Sequence, residues 1–324
     1  MSELPQDSSH LSDVGVDLLL EQYGGEVESQ FKKTSIMRQY ARIRPVRGTD
    51  TITNNRVGRT TLQALTPGVR PEASNTPFGK VSLTVDTVVL ARDNRSMLNE
   101  LQTHFDARME LAQDHGKEIG YFFDEAFIIM GIKGAGMSAP DLGGEATQNS
   151  IGAGKSVTLT SAGDELDPDK LYRAIADIIV DMEEDEVPVE ELVVFVRPTE
   201  FDVLLDNDKL IRSEFSADNG DFAKGIIWSI KGARIVKTAR IPRSAITGHK
   251  LSNARNGNSY DVSATEAKAA AVILHPKSLM AGETIPLTSD IWFNREEKQW
   301  FIDSFLAFGV TVNRPDVCGR VLKA

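Results

Sequence analysis

Hydrophobic and polar positions change their period midway through the first half of the chain. Two alternating segments flank a loop carrying Pro67, Pro71 and Pro77. In the second segment Val81, Leu83 and Val85 point one way and Ser82, Thr84 and Asp86 the other, which predicts a half-buried strand. The two segments therefore predict a long hairpin over 49–91. From Asp93 onward the spacing becomes helical. Leu98, Leu101, Phe105, Met109, Ala112, Ile119, Phe122, Phe123, Ala126 and Ile129 recur at three- and four-residue steps, with no proline between them. A helix here would run close to forty residues, roughly 55–60 Å at 1.5 Å per residue, where an ordinary helix has about a dozen. A hairpin feeding such a rod cannot bury its own surface. The pattern predicts a subunit that lies against copies of itself.

The remaining pattern fills in an α+β chain. Asp17 to Phe31 predicts a short amphipathic helix, broken at Gly24–Gly25, and Thr34 to Val46 is polar, basic and extended. Together they predict an N-terminal arm over 1–48 rather than a domain. Gly131 to Ser156 is a glycine-rich connector. Beyond it, Asp167 or Asp169 can cap a helix whose core face is Leu171, Ile175, Ile178, Ile179 and Met182. Leu192 to Val196 predicts a strand, and Pro198 opens a second helix at a position proline tolerates. Trp228 to Ile241 predicts strand–turn–strand around Gly232, and Ser244 to Thr265 a surface loop. Ala269 to Leu274 predicts a buried strand, and Ile291 to Asn313 long strands with a turn at Arg295–Lys298, before a short polar tail.

Composition narrows the class. The chain has 324 residues, 41% hydrophobic and 26% charged, ample for a core. No apolar run has the length to span a bilayer, and the polar start Met1–His10 lacks the apolar centre of a signal peptide. Cys318 is the single cysteine, in keeping with a reducing compartment. Cytoplasmic synthesis is the expectation. The net charge of −11 is unevenly spread. Ser29 to Thr61 holds eight basic residues, including Arg42, Arg44, Arg47, Arg56 and Arg59, against Asp50 alone. Ser161 to Glu191 holds twelve acidic residues, including Glu183, Glu184 and Glu186, against two basic ones. Each block can be a solvated face. Complementary blocks on one chain also predict pairing between subunits, where opposite potentials fix register. Nucleic-acid readout by the basic block is disfavoured by its few aromatics and by the acidic whole.

Catalytic signals are sparse. Gly152-Ala153-Gly154-Lys155-Ser156 matches the end of a phosphate-binding loop, but the first glycine position is Asn149 and the following Val157-Thr158-Leu159 is β-like. A flexible linker explains it as well. His10, His104, His115, His249 and His275 lie too far apart in sequence for a local metal motif. The carboxylates from Asp181 to Glu186 lack the glycine of a calcium loop, and Cys318 has no histidine near it in sequence. No cofactor, metal or catalytic residue is expected.

The order of arm, hairpin, long helix, glycine-rich link, α/β body and closing strands resembles the major capsid proteins of tailed bacteriophages, the Johnson fold. Leu18-Leu19-Leu20-Glu21-Gln22-Tyr23-Gly24-Gly25-Glu26-Val27, Phe31 and Thr34-Ser35 look like the opening of capsid proteins from autographivirus-type podophages. Gly58-Arg59-Thr60, Leu65-Thr66-Pro67-Gly68, Lys231-Gly232-Ala233-Arg234-Ile235-Val236 and Phe308-Gly309-Val310-Thr311-Val312-Asn313-Arg314-Pro315 are similar to the same group. The resemblance covers nearly the whole chain and rests on the order and spacing of these segments. It matches least at the extreme N-terminus and at Ser244–Thr265. It implies a peripheral domain with its spine helix over 92–166, a mainly axial domain over 167–290 and returning peripheral strands over 291–324. The hairpin is expected to overlie a neighbouring subunit. The implied function is an icosahedral shell of pentamers and hexamers around double-stranded DNA, assembled with a scaffolding protein and a portal in the bacterial cytoplasm and ending in the virion. The expected interface residues are Arg42, Arg44, Arg47, Arg56 and Arg59, the hairpin tip with Pro67, Pro71, Pro77 and Phe78, and the acidic stretch Glu183, Glu184 and Glu186. An encapsulin-type compartment shell and a nucleotide-binding enzyme using Gly152–Ser156 are the alternatives.

Overall fold

The computed structural model describes residues 13–60, 62, 64–68, 70, 76–96, 107–142, 150–207, 210, 220–221 and 226–324. Elements follow in the order α1 (Asp13–Thr34), α2 (Met37–Tyr40), β1 (Ile43–Pro45), β2 (Thr51–Val57), β3 (Phe78–Thr84), β4 (Val89–Ser96) and α3 (Ala107–Gly134). Then come β5 (Lys155–Thr158), α4 (Pro168–Glu184), β6 (Val193–Val196), α5 (Pro198–Leu205), β7 (Gly220–Asp221), β8 (Ile226–Ile227), β9 (Ser229–Ile230) and β10 (Ala233–Lys237). The chain closes with β11 (Ala269–Leu274), β12 (Leu279–Asn294), β13 (Gln299–Val312) and β14 (Cys318–Leu322). Two compact units result. One comprises Met1–Gln39, Val85–Asp124 and Glu283–Gly309; the other comprises Tyr40–Thr84, Glu125–Gly282 and Val310–Ala324.

In the first unit β12, β13 and β4 are successive neighbours in one sheet. β13 runs antiparallel to β4 from Gln299↔Ser96 to Leu306↔Val89. Helix α1 packs on the early turns of α3 through Gly116 and Gly120. A Cβ at Gly116 would stand 2.7 Å from the Val27 carbonyl oxygen, and one at Gly120 3.2 Å from the Thr34 side chain. This close approach lets Phe31 meet Phe123 edge to face, with ring centroids 5.5 Å apart. Two expectations are corrected here. Asp93 to Ser96 belongs to β4 and not to a helix, because pairing with β13 satisfies that backbone; Leu98, Leu101, Phe105 and His104 lie outside the described residues. The helix α1 is continuous through Gly24 and Gly25. Two interior glycines cost about 1 kcal/mol each, and burial of Tyr23, Val27 and Phe31 offsets that.

The second unit is built on a six-stranded mixed sheet in the order β5-β14-β11-β6-β10-β9. β5 pairs with β14 in parallel and β6 with β10 in parallel. Helix α4, capped by Asp167 on the amides of Asp169 and Lys170, lays Leu171, Ile175, Ile178, Ile179 and Met182 on one face against Val194, Val196, Ile273 and Val321. The last turns of α3 meet the other face, where Cβ atoms at Gly131 and Gly134 would stand 2.8 Å from Leu274 Cδ2 and from Cys318 Sγ. The glycines of the predicted connector are thus close-packing residues, not slack: Gly136 faces the Arg320 guanidinium, and a Cβ at Gly154 would collide with the Gly134 and Ala135 backbone. Gly143, Gly144 and Asn149 lie outside the described residues. The segment after Pro315, expected as a polar tail, is instead the inserted strand β14, with Cys318 and Val321 fully buried. Its five residues, interrupted by Gly319 and Arg320, carry too short a pattern to announce a central strand. The predicted loop at Ser244–Thr265 has little regular structure, but Leu251, Tyr260 and Val262 anchor it in the interior, and the Tyr260 hydroxyl donates to the Val310 carbonyl at 2.9 Å.

Candidate subunit interface

Strands β2 and β3 form a two-stranded antiparallel ribbon with Ile52↔Leu83, Asn54↔Val81, Arg56↔Gly79 and Val57↔Phe78 in register. Directly opposed residues share a face, so the ribbon has two different sides. One side carries Ile52, Asn54, Arg56, Gly79, Val81 and Leu83 and sits on its own unit. There a Cβ at Gly282 would meet Ile52, Leu83 and Val46, and Gly79 abuts Leu142. The other side is exposed. It is polar near the base, at Thr53, Ser82, Asn55 and Lys80, and apolar at the far end. Val57 is 50% exposed and Phe78 69%, and beyond them Leu62 is 93% and Leu65 77% exposed. Hydrophobic side chains projected this far into water favour association over solvation.

The expected interface residues separate into three groups. Arg42, Arg44, Arg47 and Arg59 are exposed, as are Pro67 and Phe78. Glu183, Glu184 and Glu186 are exposed at the end of α4, and Glu186 takes a left-handed φ of 61°. No ion pair joins these arginines to these glutamates within the chain, among the described residues. Arg56 differs: its Nε donates to the Asn313 carbonyl at 2.9 Å, and Nη2 donates to the same oxygen and to Val312 O. Burial lowers its pKa from the ordinary guanidinium value, against the field of Asp316. Arg56 is therefore a brace inside its own subunit and not part of a free basic arm. Pro77 is buried, and its carbonyl accepts the Gly58 amide at 2.8 Å, closing the ribbon rather than capping an exposed tip. Pro71 lies outside the described residues.

The Gly152–Ser156 segment does not form a phosphate loop. Lys155 opens strand β5 and its Nζ stands 2.7 Å from Asp185 Oδ2, while Gly154 packs against the Gly134–Ala135 backbone. Burial pushes the Cys318 thiol up to about 12, which removes the thiolate that catalysis needs.

Two polar centres escaped sequence reasoning. Asp124, 1% exposed on α3, accepts the Ser35 hydroxyl at 2.8 Å and the amides of Ile36 at 2.8 Å and Met37 at 3.0 Å, opening α2. His115 places Nδ1 2.8 Å from the Tyr23 hydroxyl and 3.2 Å from Ser304 Oγ, and Nε2 3.0 Å from Asp93 Oδ2. It thereby ties α1, α3, β4 and β13 together. Its sole sequence signal was a histidine on an otherwise apolar helical face.

A mixed sheet between helices, a spine helix and an exposed ribbon are the parts of the Johnson fold, the architecture of tailed-phage major capsid proteins. The chain has that fold. It is similar to the bacteriophage PhiM1 mature capsid subunit, with 26% identity and a TM-score of 0.76 over 90% of this chain and 87% of that one. The cyanophage P-SCSP1u capsid protein aligns with a TM-score of 0.79 at 17% identity over 90% and 88% of the two chains. The virus-like particle protein of Pyrococcus furiosus follows at a TM-score of 0.56 and 11% identity, covering 94% of this chain and 99% of that one. No protein-family model and no curated protein matches the sequence.

Proposed function

We propose that this chain is the major capsid protein of a short-tailed phage of the autographivirus type, a structural subunit without an active site. It builds an icosahedral shell of pentamers and hexamers around double-stranded DNA. The observation that carries this reading is the likeness to the PhiM1 mature capsid subunit along nine-tenths of the chain. The exposed apolar end of the β2–β3 ribbon supports it, because that surface needs a second copy to cover it. The ribbon overlies a neighbouring subunit, and the exposed Arg42, Arg44, Arg47 and Arg59 face the acidic Glu183, Glu184 and Glu186 of another copy. A scaffolding protein and a portal are the assembly partners, and the product resides in the virion after assembly in the host cytoplasm. An acidic subunit contains DNA without gripping it.

Negative-stain electron microscopy of the purified protein, with and without a co-expressed scaffolding protein, tests the reading. Closed icosahedral particles are expected. A discrete small oligomer in both preparations would overturn it. The likeness to the Pyrococcus furiosus particle favours a second reading, a compartment shell with protein cargo. Particles that protect an enzyme and no nuclease-resistant DNA would favour that one.

A further inference from the structure

The polar attachment of the ribbon's inner side to its own subunit centres on Asn313. Its Oδ1 accepts Asn54 Nδ2 at 2.8 Å, and its carbonyl accepts the Arg56 guanidinium. Asn313 is in turn held by the turn between β11 and β12. Its Nδ2 donates to the Lys277 carbonyl at 3.1 Å, and its amide donates to Ser278 O at 2.8 Å, as does the Arg314 amide at 3.0 Å. That turn hangs on His275, which is 4% exposed. The His275 carbonyl accepts the Ser278 amide at 2.9 Å, and Nδ1 accepts the Lys277 amide at 3.0 Å. An Nδ1 that accepts must carry a lone pair, so the ring is neutral, with its proton on Nε2 beside Glu191 Oε2 at 3.0 Å.

We propose that His275 and Asn313 form a latch that fixes the ribbon on its own subunit and is released by acid. A proton added at Nδ1 faces the Lys277 N–H directly. One of the two must turn away, and the carbonyl that holds Asn313 moves with it. Asn54 and Arg56 then lose their bonds to Asn313, and the ribbon is left with the apolar contacts of Ile52, Leu83 and Gly79 and the remaining bonds to Val312 and Ser150. Three charged groups face the ring: Glu191, which favours the proton, and Lys277 and Arg314, which oppose it. Burial adds to the opposition and holds the imidazole below its ordinary value. The latched state therefore binds one proton fewer than the released state. Latching is fully present above the released-state pKa near 6.5 and weakens about tenfold per pH unit below it, until the latched ring itself titrates. The proposal gives the ribbon of the reading above a way to change its pose between unlike environments in a shell, and to that extent rests on that reading.

Hydrogen–deuterium exchange of the unassembled subunit, corrected for intrinsic rates, tests it at pH 7.5 and pH 5.0. In the unaltered chain, protection of the amides at 275–279 and 312–316 should drop at pH 5.0, by up to about thirtyfold for a released-state value near 6.5. His275→Asn keeps an acceptor near the place of Nδ1 and cannot take up a proton, so its protection should not change with pH. Asn313→Ala removes the Asn54 and Lys277 bonds while keeping the carbonyl that accepts Arg56, so it should loosen the ribbon at both pH values, read as lowered protection in β2 and β3. An unaltered chain that keeps its protection at pH 5.0, or a His275→Asn chain that loses it equally, would overturn the latch. Equal ribbon protection in Asn313→Ala would do the same, even if His275→Asn failed to fold. None of these readouts needs particles, so absence of shells under the microscope would count against the capsid reading alone.

Discussion

Removing the Asp124 carboxylate is the sharpest single perturbation the first unit allows. The group is buried and receives three donors: the Ser35 hydroxyl and the Met37 amide on Oδ1, and the Ile36 amide on Oδ2. In Asp124→Ala all three donors lose their acceptor inside the protein, at about 1–3 kcal/mol each. Some entry of water into the space left by the side chain brings the total to about 3–6 kcal/mol. That is a large share of the 5–15 kcal/mol typical of a folded domain. Asp124→Asn keeps one oxygen but turns an N–H toward a donor, and should lose about 2–4 kcal/mol. Urea unfolding of the unassembled subunit gives the loss as a lower midpoint. Hydrogen exchange locates it, with the amides of Ile36 and Met37 deprotected before the second unit is touched. An Asp124→Ala subunit within about 1 kcal/mol of the parent, with those two amides still protected, would refute the argument.

Other expectations follow from the same geometry. Gly116→Ala sets a methyl group 2.7 Å from the Val27 carbonyl oxygen, so α1 must shift off α3 at a cost of about 1–3 kcal/mol, seen as a lower melting temperature. Reversing Arg42, Arg44 and Arg47 to Glu should leave circular dichroism unchanged and abolish particles, whereas normal shells would sink the pairing with Glu183–Glu186. The Arg92 guanidinium holds the Asp303 carboxyl below its usual range. That stabilisation is present above the unfolded value near 3.9 and is lost as pH falls through the depressed folded value. Asp303→Asn should therefore lower stability at pH 7 and flatten its loss under strong acid, measured by unfolding at pH 2–7. The Cys318 thiol should ignore thiol reagents in the folded subunit and react at once in denaturant; prompt reaction without denaturant would show that β14 opens readily.

What could be read from the sequence were elements whose pattern is long and local. The alternation of Val81 and Leu83, the helical face from Leu171 to Met182 and the Asp167 cap all appear in the fold as expected, with β3 ending at Thr84, before Val85. The paired strands β12 and β13 do too, with β12 starting earlier, at Leu279. The misreadings share a physical cause, since each depended on a partner distant in sequence. Asp93 to Ser96 is a strand because β13 lies beside it. The glycines at 131, 134 and 154 are fixed because a strand or helix approaches them closely. Cys318 to Leu322 is central because β5 and β11 flank it. The candidate interface divides in the same way. Arg42 and Phe78 are exposed, which leaves them free for the proposed contact, while Arg56 and Pro77 make backbone hydrogen bonds that no local pattern shows.

The position of β14 carries a consequence for synthesis. It pairs with β11 on one side and is the strand that β5 joins on the other, yet β5 leaves the ribosome long before it. Until residues 318–322 emerge, β5 has no partner in its sheet and the α4 face over Gly319 stays uncovered. The second unit, which carries the ribbon, cannot be completed on a nascent chain still short of β14. Folding order thus acts as a timer: the second unit is complete only once β14 is in place, and until then the uncovered apolar face of α4 is the surface most exposed to aggregation.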